Sequence, residues 1–507
     1  MLANTIANSQ PNLQYRWIFF TSLLLSAWLI WLDPLINRDA IIYLRAADAF
    51  LKDGLVASQQ LHARPILSII IAFIHQLTGL SLLHAGLAIT SLSYAALCVG
   101  FVATVRTLGG DRTVQIIAAV VILSHPWLNH TRTAIMREPA YLALMILSLR
   151  ELLLYLRHPI LKHRLRWLGY TLLATLFRFE GMFFLALAPL ALLFCRDLKN
   201  RWQHSALLLV PAWLIIALFS LVLIGFQNQQ ADGASILPTI ALYIDRLLAF
   251  PTKFSVIAAQ AAEPMLSFTS RDDATAAAVM AMVTVLLLNL ARALSWPWVA
   301  TLIWGKLGKL QLRLRRGDRV ILVSHIVIGL AYLLVFVLIN RFMLERYCNQ
   351  VVIFLLLYVP FVLSFLWRSK GWRKALCLTL LVGLSIDTLH NSDREKMFIV
   401  DATEWVAAST PQNASLVSNE KYIGYFSGRT LDWNALQNRR FSLDVILSTP
   451  RLWRNTDYMV MYIKPSQDAL WLDFLAQHKL QESRSFEGGR KGRVSVVEVA
   501  KKSSRSK

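Results

Sequence analysis

Chemistry is available in this chain where ionisable side chains interrupt apolar sequence. Such places are Asp39; Arg64 before Pro65; Arg137-Glu138; Arg178-Phe179-Glu180-Gly181; and Arg341, Glu345 and Arg346-Tyr347. A carboxylate so placed can accept a proton from an attacking hydroxyl, which is the work of a general base. A guanidinium presents a fork of donors that matches phosphate oxygens. Arg137, Arg178 and Arg346 are therefore candidates for holding a phosphate. Asp39 and Glu138 are candidates for base chemistry. Two carboxylates facing a phosphate would also suit a hard divalent cation, Mg²⁺ or Mn²⁺.

Each candidate also has an ordinary structural reading. Asp39 stands at the start of IIYLRAADAF, where an aspartate caps a helix. Glu138 precedes Pro139, a common first-turn pair. Arg178, Arg346 and Arg137 each have an acid within two positions (Glu180, Glu345 and Glu138) that would neutralise them. His62, His125 and His130 read as interface residues rather than metal ligands.

Ionisable groups are costly in hydrocarbon and by default line a cavity or a site, so the elements that carry these residues decide their use. The chain has 507 residues, of which 56% are hydrophobic and 16% charged, with a mean hydropathy of +0.50. That composition predicts a bilayer as its solvent. Apolar segments of spanning length recur around 17–32, 82–105, 139–156, 204–226, 276–304, 320–340 and 350–367. The net charge of +22 is concentrated in alternate gaps between them: Arg157, Lys162, Arg164 and Arg166; Arg196, Lys199 and Arg201; Lys306 to Arg319; Arg368, Lys370 and Arg373. This is the positive-inside pattern rather than a footprint for nucleic acid, which is not an expected partner.

With the N-terminus inside, about eleven crossings follow, and every candidate group above falls on the outer face. The expected fold is an α-helical polytopic membrane protein over 1–390 with a small C-terminal α/β soluble domain over 391–507. The first outer loop, 33–80, carries RDAIIYLRAADAFLKDGLVASQQL. Ile41, Leu44, Ala47, Phe50 and Leu51 give it an amphipathic helical face. PILSIIIAFIHQLTG is short for a span and reads as a second interfacial helix. RFEG divides the run 166–195 into two spans. A large outer loop covers 227–275. Beyond it, 276–304 and 350–367 each read as one crossing. In the C-terminal part DATEWVAAST reads as helix, SLVSN, YMVMYI and RVSVVEV read as strands, and KKSSRSK reads as a disordered tail. Cys98, Cys195, Cys348 and Cys377 have no CxxC spacing and predict neither disulfide nor zinc site. No cleaved signal peptide is expected, because the first apolar run is long and no small-residue cleavage site follows it.

Several of these segments resemble the type C glycosyltransferases, the group that includes lipid A aminoarabinose transferases and bacterial protein O-mannosyltransferase-like enzymes. RDAIIYLRAADAFLKDG is similar to their first outer loop, and ARPILSIIIAFIHQLTG to the Pro-led interfacial helix after it. LLATLFRFEGMFFLALAPLALL resembles their T-R-x-E-G outer turn, with Phe177 in place of Thr. ERYCNQVVIFLLLYVP resembles the segment that opens a late span with Arg-Tyr, its proline arriving later, at Pro360.

The resemblance implies an inner-membrane enzyme of a bacterial envelope, with the C-terminal domain in the periplasm. It would move a sugar, with inversion, from a polyprenyl-phosphate donor to a glycan, lipid or protein acceptor. By position the catalytic first-loop aspartate is Asp39, and the second acidic residue is Glu138, where Asp is common. Ala40 replaces the second acid of a paired first-loop motif. Arg346, with Arg178 and Arg137, would meet the donor phosphate. Tyr43, Arg64, Glu180 and Tyr347 would line the substrate cavity, and the outer loop with PTIALYIDRLLAF would close over the donor.

A polyprenyl-linked lipid flippase or transporter is the main alternative. It predicts charges or broken helices near the bilayer midplane, where most spans here are clean. An oligosaccharide polymerase or ligase would place its key residues in late outer loops, whereas here the first loop is the richest.

Overall fold

The computed structural model describes residues 13–33, 35–227, 250–262, 268–308, 314–389, 396–431 and 442–499. The expected lid segment PTIALYIDRLLAF (apart from Phe250) and the expected disordered tail KKSSRSK lie outside the described residues.

Among the described residues, six helices are long and apolar enough to cross a membrane. They are α1 (Tyr15–Leu32), α4 (Leu82–Thr107), α7 (Glu138–Arg157), α10 (Arg201–Gln227), α12 (Ala274–Leu294) and α14 (Arg316–Asn340). A bent pair, α15 (Glu345–Leu356) and α16 (Val359–Arg368), at 45° to one another, is long and apolar enough only when its two halves are taken together. The expected single crossing over 350–367 is therefore broken. Pro360, in the first turn of α16, lacks an N–H and cannot continue the helix before it. The crossing expected over 276–304 is broken too. Ser295 sits at φ 71°, and α13 (Trp296–Leu307) restarts with Pro297 in its first turn.

Shorter helices complete the bundle: α5 (Arg112–Leu123), α6 (Pro126–His130), α8 (Leu161–Phe177), α9 (Gly181–Leu187), α11 (Phe250–Ala262) and α17 (Trp372–Leu389). The segment between α1 and α4 forms α2 (Arg38–Leu61) and α3 (Ile66–Thr78). α2 buries Ala40, Ile41, Tyr43, Leu44, Ala46 and Ala47, a face of helical spacing that packs into the bundle core. It kinks at Gly54, whose φ of 80° lies in the region glycine adopts without steric cost.

From α18 (Met397–Ser409) onward the chain forms a five-stranded sheet of order β2-β1-β3-β5-β4. The strands are β1 (Ser415–Val417), β2 (Thr430–Leu431), β3 (Tyr458–Ile463), β4 (Glu482–Glu487) and β5 (Arg493–Glu498), with α19 (Lys421–Phe426), α20 (Leu443–Leu447) and α21 (Asp468–His478) between them. β1 runs parallel to β2 and β3, and β5 antiparallel to β3 and β4. Alternation along β3 separates two layers. Met459, Met461 and Ile463 pack on Trp471 and Phe474 of α21, while Val460 packs on Phe398, Ile399 and Ala402 of α18. β2 and β4 were not expected: β2 is two residues long, and β4, ESRSFE, is mostly exposed and polar.

The domain is seated on the bundle. Tyr422, Tyr425 and Phe426 of α19 pack against the bundle core, and Leu35, just before α2, packs against the domain's core. Trp28 Nε1 donates to the Leu389 carbonyl at 3.2 Å, tying the end of α1 to the end of α17.

Candidate functional site

The ends of α2, α7, α8 and α15 converge, and with them the charges that the sequence spreads over 300 positions. Asp39 is the second residue of α2. The N-cap position belongs to Asn37, whose side chain makes no cap hydrogen bond. Asp39 faces α15 instead: its Oδ2 accepts from Arg346 Nη1 at 2.8 Å. Both partners are partly open, with side chains 46% and 33% exposed. Arg346 also lies over the Tyr347 ring, 5.3 Å from its centroid. The neighbour expected to neutralise Arg346, Glu345, is thus displaced by an acid from α2.

A second cluster lies deeper. Arg178, at the C-terminal end of α8, donates from Nη1 to Glu138 at 2.6 Å and from Nη2 to Glu180 at 2.5 Å. Its Nε also donates to Glu180, at 3.1 Å. The three side chains are 10%, 13% and 12% exposed. Tyr332 of α14 donates its hydroxyl to the same Glu180 oxygen at 3.1 Å. Three ionised groups held this tightly away from water need each other: a buried charge is tolerable only when paired and hydrogen-bonded. The turn that makes the cluster is tight. A Cβ at Gly181 would stand 2.7 Å from Thr175 Oγ1 and 2.9 Å from its backbone nitrogen, so only glycine fits.

Tyr347 joins the clusters, since Arg178 also lies over its ring at 5.4 Å. A small cleft opens between Glu138, Tyr141, Arg178, Glu180, Arg346 and Tyr347. Tyr141 donates its hydroxyl to Gln350, which also lines the cleft. Arg137 leans over the Tyr43 ring at 5.9 Å, and its Nε is buried without a hydrogen-bond partner among the described residues. Arg64 lies over Phe179 at 5.6 Å. His62 stands edge-on to Tyr43 at 5.0 Å. Burial, with Arg137 and Arg64 alongside, pushes the His62 imidazole down to about 4, so it is neutral at ordinary pH. Burial raises the Tyr43 phenol above its usual value, which keeps it a hydrogen-bond donor.

His125 is wholly buried rather than interfacial, capping α6 through its Nδ1. Arg341 ends α14 in a left-handed conformation. Sequence reasoning missed Tyr332, Tyr141 and Gln350, whose positions inside apolar helices read as core. It also missed Arg132, fully buried, which donates to Asn129 at 2.7 Å and to Ser22 and Ser26 at 3.0 and 2.9 Å. The cue was an arginine flanked by threonines in NHTRTAIMRE, beside the more conspicuous Arg137-Glu138.

For a divalent cation the donor set fits poorly. Asp39 and Glu138 each already accept from a guanidinium, and no group of three or more His, Cys, Asp or Glu residues comes together among the described residues.

No protein-family model matches the chain, and no curated protein matches it. Solved structures do. An oligosaccharyltransferase of Archaeoglobus fulgidus, crystallised with zinc and sulfate, superimposes with a TM-score of 0.51 at 13% identity, over 90% of this chain and 69% of that one. ArnT from Cupriavidus metallidurans, bound to undecaprenyl phosphate, is similar at TM-score 0.42 and 15% identity, over 95% and 97%. In the apo state it gives 0.38 at 15% identity, over 94% and 96%. The chain is a multi-pass membrane protein with a GT-C-like fold.

Proposed function

We propose that this protein is a glycosyltransferase of a bacterial inner membrane, acting at the periplasmic face on a polyprenyl-phosphate-linked sugar. The observation that carries the reading is the half-open Asp39–Arg346 ion pair at the mouth of an apolar bundle. A base and an anion-binding group there lie in contact and within reach of solvent. The GT-C-like fold is shared with a protein that is by name a sugar transferase.

In this reaction Arg346 leaves Asp39 and binds the donor phosphate. The bond between the anomeric carbon and the phosphate oxygen breaks, and both its electrons stay with the polyprenyl phosphate. The guanidinium stabilises that charge by a charge-assisted hydrogen bond to the phosphate oxygens. The acceptor hydroxyl or amine attacks the anomeric carbon from the opposite face, inverting it, and its proton passes to Asp39.

Arg178 differs from Arg346. Its donors are taken by Glu138 and Glu180, so it holds Glu138 and the α8–α9 turn in place rather than the phosphate. Arg137, over Tyr43, is the second candidate for the phosphate. Neutral His62 and protonated Tyr43 supply uncharged polar contacts for the sugar.

Transfer of radiolabelled sugar from a polyprenyl-phosphate donor, by purified protein in detergent or vesicles, tests the proposal. Wild type should label an envelope acceptor, and Asp39→Asn should not while remaining folded. Equal transfer by Asp39→Asn would remove Asp39 from the chemistry. Transfer from no donor would remove the enzyme reading itself.

A further inference from the structure

One side of the cleft has hydrogen-bonding capacity that the protein leaves unused. Arg346, Asn349 and Gln350 stand three and four residues apart on α15, so they share one face of that helix, and all three line the cleft. Asn349 and Gln350 are only 5% and 6% exposed. Gln350 is held by Tyr141, whose hydroxyl donates to its Oε1. Its Nε2 has no hydrogen-bond partner among the described residues, and neither have Asn349 Oδ1 and Arg346 Nε. Elsewhere around the cleft the charges answer one another, Arg178 with Glu138 and with Glu180.

A buried polar atom left unpaired has lost its hydration and gained nothing in return, and folded proteins carry few of them. Three on one helix face, beside one cleft, describe a ligand by what they lack. Arg346 Nε and Gln350 Nε2 are donors, and Asn349 Oδ1 is an acceptor. A hydroxyl has two lone pairs for the donors and one proton for the acceptor. An ionised phosphate oxygen has no proton for Asn349, and an ammonium has no lone pair for Arg346 or Gln350.

We propose that this face of α15 is a hydroxyl subsite and, resting on the glycosyltransferase reading, that it takes the 2-hydroxyl of the donor sugar. Arg346 joins the two parts of the donor: its terminal nitrogens turn to the phosphate, and its Nε to the hydroxyl. Within the sugar, the hydroxyl on the carbon beside the anomeric carbon is the one that lies so near the phosphate. Asn349 and Gln350 are then specificity-determining residues, which select donors with a free 2-hydroxyl over donors without one. Water is the other source of such an oxygen, and it would fill the cleft without choosing between donors.

Titration calorimetry on the full-length protein in detergent tests it without any transfer. The probes are short-chain polyprenyl phosphates carrying glucose, mannose, 2-deoxyglucose or no sugar. Glucose and mannose present the 2-hydroxyl in its two orientations, and the deoxy sugar is the analogue of both. Wild type should bind the glucose or the mannose donor about ten-fold tighter than the deoxy donor. Asn349→Leu, which gives up no side-chain hydrogen bond among the described residues, should bring that ratio to about one, and Gln350→Met should do the same. Each ratio compares donors on a single protein, so a loss of stability common to all donors does not enter it. Equal binding of the three sugar donors by wild type would leave the cleft to water alone and overturn the subsite. A ratio that survives either substitution would overturn it too. In both cases, binding of the bare lipid phosphate would leave the donor reading standing. Failure of wild type to bind any lipid phosphate would instead sink that reading, and the subsite with it.

Discussion

Two arginine–carboxylate clusters sit side by side in this protein and differ in how far water reaches them. Asp39–Arg346 is partly open; Glu138–Arg178–Glu180 is almost closed, and Tyr332 completes its hydrogen bonding. In the open pair solvent screens the attraction, so its members can separate and meet a substrate. In the closed cluster separation leaves charges without water, so the groups stay together. The same two residue types thus serve reaction in one place and architecture in the other. Burial makes the difference.

The contrast breaks first at Arg178. Arg178→Met should remove the shared cation and leave two carboxylates facing each other in a dry pocket, a loss of about 3–5 kcal/mol. Thermal unfolding in detergent should show it as a collapse of folded yield. Survival of Arg178→Met at near wild-type stability would show that the cluster is wet. Asp39→Asn should do the opposite: stability close to wild type, and transfer lower by about 10²–10⁴-fold. Arg346→Lys keeps the charge but loses the fork, so kcat/KM should fall by about ten-fold, with folding unaffected. If Arg346→Lys instead lost stability as Arg178→Met does, the two clusters would not be distinct.

Much of this was legible in the sequence, in an uneven way. Period and length identified the long apolar helices, because a bilayer demands them, though six of spanning length stand among the described residues where about eleven crossings were expected. Charge asymmetry put Asp39, Glu138, Arg178, Glu180 and Arg346 on one rim before any contact was known. The partners were legible only in part: Arg178 does meet Glu180, two positions on, but the other pairs differ. Proximity in sequence favoured Arg346 with Glu345 and Arg137 with Glu138, whereas the fold joined Arg346 to Asp39 and Arg178 to Glu138. Helix ends meet by tertiary packing, and a local rule has no access to it. The breaks at Ser295 and Pro360 were half-visible, since each has a proline near it that an apolar average hides. The place of the turn at Glu420 could not be read at all, because nothing in SLVSNEKYIG says that Glu420 meets Arg38 of α2.

The smallest expected effect is at His62, and it tests whether the rim around Asp39 is dry enough to matter. Its imidazole is pushed down to about 4, first by burial and then by Arg137 and Arg64, whereas in the unfolded chain it protonates near 6.5. Between those values the unfolded chain binds a proton that the folded protein refuses, so stability rises with pH across that window and is intact above it. At pH 5, allowing for partial exposure, His62 should cost about 1 kcal/mol relative to pH 7. His62→Gln has no such proton and should unfold at more nearly equal temperatures at pH 5 and pH 7. Carboxylates contribute acid sensitivity in both proteins, so the quantity to read is the difference between the two pH shifts. A difference of zero would mean that water reaches His62 freely. The rim would then be open throughout, and the ease with which Arg346 leaves Asp39 would follow from solvent alone.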